Sequence, residues 1–207
     1  MSCVPRIKGL ISKVSPGLTY LVLLLSAAAA GAQPASRLTD FSWRPEPGGE
    51  WRIGEEVLSG QDRPLTADVA AHDYVFRGEA RCVERDGVAQ IWLSFRYQGL
   101  WDRYAVALRG GLMNDVILYR YRESDGSSPD IHLGHFAPLG FELKPGQWIP
   151  FEIRVVGPSI EIRAGEVDEP QMVYEDTGGL ARGGIALGGS WHRCEFRDLS
   201  IEPVEPR

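Results

Sequence analysis

Apolar and polar residues alternate most regularly near the C-terminus. Ile149, Phe151, Ile153 and Val155 are interleaved with Pro150, Glu152 and Arg154, and after Gly157-Pro158 the residues Ile160 and Ile162 alternate with Glu161 and Arg163. A period of two marks strands with one buried face, so this stretch predicts a β-hairpin. The same pattern predicts strands over Tyr74 to Val83, Ala89 to Tyr97, Trp101 to Arg109 and Asp115 to Tyr121. Turns are expected at Arg85-Asp86-Gly87, Gly99 and Arg109-Gly110-Gly111. A short hairpin is read around Gly54, from Trp51 to Ser59. A turn from Gly165 to Pro170 leads to a strand at Met172 to Tyr174, followed by strands at Gly183 to Gly188 and His192 to Ile201. No helical period of useful length and no internal repeat occurs past the N-terminal segment. About ten strands without helices bury their apolar faces most simply as two stacked sheets, so the expected fold is all-β, a two-sheet antiparallel β-sandwich of jelly-roll type.

The N-terminus follows a different rule. Arg6, Lys8 and Lys13 precede an apolar and small-residue run from Leu18 to Ala30, and Ala30-Gly31-Ala32 offers small residues for cleavage. Residues 1–32 therefore read as a signal peptide, because the run is shorter than the ~20 residues that span a bilayer. The expectation is a secreted or periplasmic protein with no membrane anchor after cleavage. Residues 33–47 form a lead-in, 48–202 the sandwich, and 203–207 a proline-containing tail or the start of a linker.

Charge narrows the partners. The chain of 207 residues carries a formal net charge of −6, and loss of residues 1–32 removes three basic residues and no acidic one, leaving about −9. Lys144 is then the only lysine, a composition poorly suited to nucleic acid or anionic membranes.

The C-terminal half resembles concanavalin A-like jelly rolls, and within them laminin G-like modules and the 3-keto-disaccharide hydrolase domain. The resemblance rests on Gly146-Gln147-Trp148 before the hairpin, on Gly183-Gly184-Ile185-Ala186-Leu187-Gly188, and on the closing Cys194-Glu195-Phe196-Arg197-Asp198-Leu199-Ser200-Ile201. Ala107-Leu108-Arg109-Gly110 is similar to an arginine-bearing central strand of the same group. The likeness spans roughly residues 48–202 and concerns structural motifs, so it bears on fold more than on chemistry. It implies a carbohydrate-binding module, a glycosidase or an adhesion module. The chain also resembles the accessory module ahead of some β-galactosidase-like catalytic domains, which would make a catalytic domain in the same polypeptide a partner.

Strand parity singles out one face. If Ile91, Leu93 and Phe95 point inward, Trp92, Ser94 and Arg96 point outward; if Tyr104, Val106 and Leu108 point inward, Trp101, Arg103, Ala105, Ala107 and Arg109 point outward. Tyr119 and Tyr121 extend this face, and Trp191 stands in a nearby loop. Aromatic rings stack on the C–H faces of sugars, arginine donates to their oxygens, and small residues keep the floor low. Trp92, Arg96, Trp101, Arg103, Arg109, Tyr119, Tyr121 and Trp191 are thus the candidate carbohydrate-binding residues. The plainer alternative is that the tryptophans cover a sheet edge while the arginines solvate it.

Other chemistry is weaker. Glu166-Val167-Asp168-Glu169 is the one local set of carboxylates, but it sits in a predicted turn and lacks the last carboxylate of the family 16 glycoside hydrolase pattern. An enzyme would have to draw acid and base from separated positions such as Asp102, Asp115 or Glu142. His132 and His135, with Asp130 nearby, form no second cluster of ligand spacing, so no metal is assigned to them. No cofactor is expected beyond a structural calcium, which the resemblance allows and nothing in the sequence localises. Parity turns Cys82 and Cys194 toward the core. The resemblance brings early and closing strands together, so the two either form a disulfide or stand as two buried thiols.

Overall fold

The computed structural model describes residues 36–83, 89–122 and 130–204, with the backbone alone at residue 36 and residues 130–134. The signal-peptide reading and the turn at Arg85-Asp86-Gly87 lie outside the described residues, as does the end of the tail. Fifteen strands are described. They are β1 (Ser36–Arg37), β2 (Arg44–Pro45), β3 (Glu50–Ile53), β4 (Leu58–Gln61), β5 (Leu65–Ala67), β6 (Tyr74–Cys82), β7 (Gln90–Gly99) and β8 (Asp102–Arg109). Then follow β9 (Asp115–Arg122), β10 (Asp130–Pro138), β11 (Ile149–Val156), β12 (Ser159–Ala164), β13 (Met172–Glu175), β14 (Gly184–Leu187) and β15 (Cys194–Pro203). One 3-10 turn, Leu38–Asp40, is found among the described residues.

The strands form two antiparallel sheets. One runs β13-β12-β11-β6-β15-β4-β3, with β1 added alongside β15; the other runs β10-β9-β8-β7-β14-β5-β2. Chain-distant strands lie side by side in both, the crossing pattern of a jelly roll. Between the sheets Phe76, Ile153, Ile160, Phe196 and Leu58 meet Ile91, Leu93, Phe95, Val106 and Leu118, all buried. The hairpin read from Ile149 to Arg163 is β11 and β12, with Phe151 opposite Ala164 and Val156 opposite Ser159. Its burial alternates at every position.

The lead-in is part of the sandwich. Ser36 and Arg37 pair with Ile201 and Ser200, and Arg44 and Pro45 pair with Thr66 and Leu65. Strands of two or three residues carry too few positions to show a period. The segment that carries His132 and His135 forms β10, paired along β9 with a register shift between Ile131 and Leu133.

Cys82 and Cys194 are directly opposite each other on β6 and β15, both buried and both free thiols. Strand adjacency therefore holds, while the bond itself is not formed. The Cys194 thiol donates instead to the Gln90 carbonyl at 3.3 Å.

Candidate functional site

The outer face of the seven-strand sheet carries the residues that parity marked, and register explains how. Trp92 lies opposite Ala107, Ser94 opposite Ala105, Ala105 opposite Tyr119, and Arg103 opposite Tyr121. Ser94, Ala105, Ala107 and Ala186 form the floor and are almost fully covered, because large side chains lie over them. Trp92 and Tyr119 stack with ring centroids 5.5 Å apart and planes within 16°. Tyr119 and Tyr121 are 6.0 Å apart, and Trp101 sits 6.3 Å from Tyr121.

These rings lead into a groove of about 500 Å³ lined by Trp92, Trp101, Arg103, Tyr121 and Trp191. Three elements supply its tryptophans. Trp92 projects from the middle of β7, while Trp101 occupies the two-residue connection between paired Gly99 and Asp102. Trp191 stands on the loop after β14. That loop leaves the sheet at Gly188 and Gly189, both in the left-handed region with φ of 70° and 109°, a conformation glycine adopts without a Cβ penalty. A Cβ at Gly188 would also come within 2.8 Å of the Trp51 ring. Trp101 and Trp191 are 46% and 65% exposed, an uncommon exposure for tryptophan that puts much of each side chain within reach of a ligand.

Arg103 is half-buried at the groove. Its Nη1 donates to Leu100 O at 2.7 Å, and its guanidinium lies 4.6 Å from the Tyr121 ring centroid and 5.9 Å from that of Tyr97. Its Nε is buried without a hydrogen-bond partner, as is Trp92 Nε1. Burial lowers the Arg103 pKa below its ordinary value, opposed by the tyrosine oxygens of Tyr121 and Tyr97.

Two of the predicted residues lie beside the groove. Tyr119 backs Trp92. Arg109 reaches across to Asp115 in a two-pronged ion pair at 2.8 and 2.6 Å, which occupies both partners. Arg96 is a correction. A register shift opens between Phe95 and Gly99, and Arg96 takes φ of 47° there, so parity reverses and its side chain turns away from the face. It is buried, with Nη1 on Leu180 O at 2.7 Å and Nη2 on Gly157 O at 2.8 Å, and Asp73 stands 3.6 Å away. Tyr97 takes the outward place beside Arg103, and its hydroxyl is pushed up to about 12 by burial and by Glu46. Asp62, Arg63 and Gln90 also line the groove. Gln90 shares parity with Trp92 and was within reach of the pattern; Asp62 and Arg63 lie in a connection with no period to read.

The remaining carboxylates do not converge. Glu142 is exposed and paired with Lys144 at 3.1 Å, and Asp115 is held by Arg109. Glu166, Asp168 and Glu169 are exposed on the connection between β12 and β13, in the other sheet. Asp62 is the one carboxylate lining the groove among the described residues. His135 packs its ring 4.4 Å from that of Tyr174; the side chains of Asp130 and His132 lie outside the described residues.

Comparison with solved structures bears on the architecture of the two sheets. The chain is similar to the carbohydrate-binding module CBM66 from Bacillus subtilis, with 12% identity, a TM-score of 0.57, and coverage of 83% of this chain and 97% of that one. This is a concanavalin A-like jelly roll. A prokaryotic β-1,3-1,4-glucanase (lichenase) derived from a mouse hindgut metagenome matches at 11% identity and TM-score 0.56, over 82% of this chain and 98% of that one. The exoplasmic/lumenal domain of VIP36 in its Ca2+/Man2-bound form matches at 8% identity and TM-score 0.53, over 80% and 82%. At these identities the likeness is one of fold. No protein-family model matches the chain, and no curated protein does.

Proposed function

We propose that the chain is an exported carbohydrate-binding module that holds a glycan in the Trp92, Trp101 and Trp191 groove. The observation that carries this reading is the convergence of three tryptophans from three separate elements on one groove, two of them with exposed rings. Its volume falls within the ~300–1,000 Å³ usual for small-ligand sites. Sugars offer apolar C–H faces to such rings and hydroxyls to donors such as Arg103 and Gln90. The same fold also occurs in a carbohydrate-binding module and in the Ca2+/Man2-bound VIP36 domain, which is consistent with the reading.

Hydrolysis of a glycosidic bond ordinarily needs two carboxyl groups about 5 to 9.5 Å apart. With Asp62 alone lining the groove among the described residues, binding fits the site better than turnover. A catalytic domain in the same polypeptide would supply the chemistry, with this module holding the substrate near it. Export is proposed on the N-terminal segment, and sequencing the N-terminus of the secreted form should place it near Gln33.

Calorimetric titration against a panel of glycans tests the site directly. Trp101→Ala and Trp191→Ala should each weaken binding about tenfold or more, roughly 1.4 kcal/mol, without lowering stability, since both rings are exposed. Unchanged affinity in both variants, or no binding across the panel, would remove the proposal.

A further inference from the structure

The charges around the groove are unbalanced in one direction. Elsewhere in the described residues, covered arginines are neutralised by carboxylates: Arg109 by Asp115, Arg120 by Asp176 at 3.0 Å, and Arg81 by Glu195 at 2.6 Å. Arg103 has no carboxylate within ion-pair distance among the described residues, although it is half-buried between two tyrosine rings. Removing a cation from water without a counter-charge is costly, so such an arrangement persists where something else requires it. Arg63 adds a second cation to the lining, against the single carboxylate of exposed Asp62. Donors without partners point the same way, since Trp92 Nε1 and Arg103 Nε are both unmatched and neither is an acceptor. Arg103 is thus a covered cation with no carboxylate at ion-pair distance among the described residues, on a protein whose net charge is negative.

From this we infer that the groove recognises an anionic glycan, with the carboxylate of a uronic acid residue received by Arg103 while the tryptophans stack on the sugar rings. The inference rests on the carbohydrate reading and names its ligand class. A carboxylate presents two oxygens to a guanidinium, and the two tyrosine rings and Leu100 O hold that guanidinium in place. The overall negative charge of the protein opposes an acidic polymer at long range. That repulsion acts beyond the groove and is screened over about 8 Å at physiological ionic strength, whereas the contact with Arg103 is direct. The comparison that isolates the contact is therefore a chemical change at the carboxylate rather than a change of salt.

Homogalacturonan oligosaccharides with free carboxylates, and the same oligosaccharides methyl-esterified, differ only in that group. The free acids should bind at least tenfold more tightly than the esters, and Arg103→Gln should abolish the difference while leaving whatever the tryptophans contribute. Alginate and hyaluronan oligosaccharides give the same comparison on other uronates, and a sulfated glucan tests whether any anion suffices. Preference for neutral glycans, equal affinity for acid and ester, or a sulfated glucan bound as tightly as any uronate would overturn the inference while leaving the carbohydrate reading standing. Failure of every glycan would overturn both.

A second inference is carried by different residues. We infer that Cys82 and Cys194 form a cross-strand disulfide when the chain folds in an oxidising compartment. Their positions are directly paired across β6 and β15, both are buried, and antiparallel partners lie at Cα separations within the range a disulfide bridges. Before burial, the Cys82 thiolate attacks a small-molecule disulfide such as oxidised glutathione and displaces one glutathione thiolate. The Cys194 thiolate then displaces the second, so the protein thiols lose two electrons and two protons and the oxidant gains two electrons. Folding with oxidised glutathione should yield protein lighter by two hydrogen atoms, with no free thiol in denaturant and a Cys82–Cys194 cross-linked peptide on digestion. Two free thiols, or stable glutathione adducts, after oxidative folding would overturn it.

Discussion

Two arginines that parity placed on one face, Arg96 and Arg103, have different work in the folded protein. Arg96 sits at a bulge and spans the sandwich, donating to the carbonyls of Leu180 and Gly157. Arg96→Met would remove both of these charge-assisted bonds, at a cost of about 2 to 3 kcal/mol. Urea unfolding should show that loss, while the folded fraction keeps its glycan affinity; a variant of unchanged stability would contradict the clasp. Asp176 offers a parallel case. It receives Tyr104 Oη at 2.7 Å and Arg120 Nη1 at 3.0 Å, and the Tyr104 pKa is raised by burial and by this carboxylate. Nothing in the local sequence distinguishes Arg96 from Arg103. The distinction comes from a positive φ at a non-glycine residue, which reverses parity and which composition does not signal. Trp92 and Arg103, in the regular parts of β7 and β8, were legible because no bulge intervenes before them.

The β11 and β12 hairpin was readable in full because every second side chain is apolar and the whole length is paired. β15 was readable only in part. Its register shifts between Arg197 and Ser200, where Asp198 has φ of 52°, so Phe196 and Leu199 both face the core despite their odd spacing. Cys194 lies before that shift and obeyed the simple pattern. On the outer face of this sheet, Glu152 of β11 accepts from Arg77 of β6 at 2.7 Å and from Arg163 of β12 at 2.6 Å, joining three neighbouring strands. Partial burial raises the Glu152 pKa, but the two arginines outweigh it and leave the carboxyl below its ordinary value. With the folded pKa below the unfolded one, the contribution to stability is complete above the ordinary carboxylate range and is lost as pH falls through the folded value. Acid titration should therefore show wild type losing more stability below about pH 4.5 than Glu152→Gln, which has no such proton to take up. Parallel acid profiles would show that the carboxylate contributes nothing measurable across the exposed part of the cluster.

Sheet order carries the strongest constraint on how the molecule assembles. β6, near residue 80, lies between β11 and β15, and β15 also pairs with β4 and β1. The eight-strand sheet is therefore incomplete until the last strand of the chain arrives, and its closure depends on contacts far apart in sequence. Such topologies fold in milliseconds to seconds rather than microseconds, because long loops must close before pairing compensates for their entropy. β15 brings Phe196, Leu199 and Ile201 into the core and follows directly on the loop that carries Trp191. The groove lies on the opposite sheet, yet one of its walls hangs from the strand that completes the fold. Ending the chain after Arg193 should then abolish both properties together. Such a chain would show no cooperative unfolding transition and no glycan binding, whereas removing only residues 205–207 should leave both intact. A truncated chain that still unfolds cooperatively would mean that the sandwich closes without β15, and that the Trp191 loop draws its position from β14 alone.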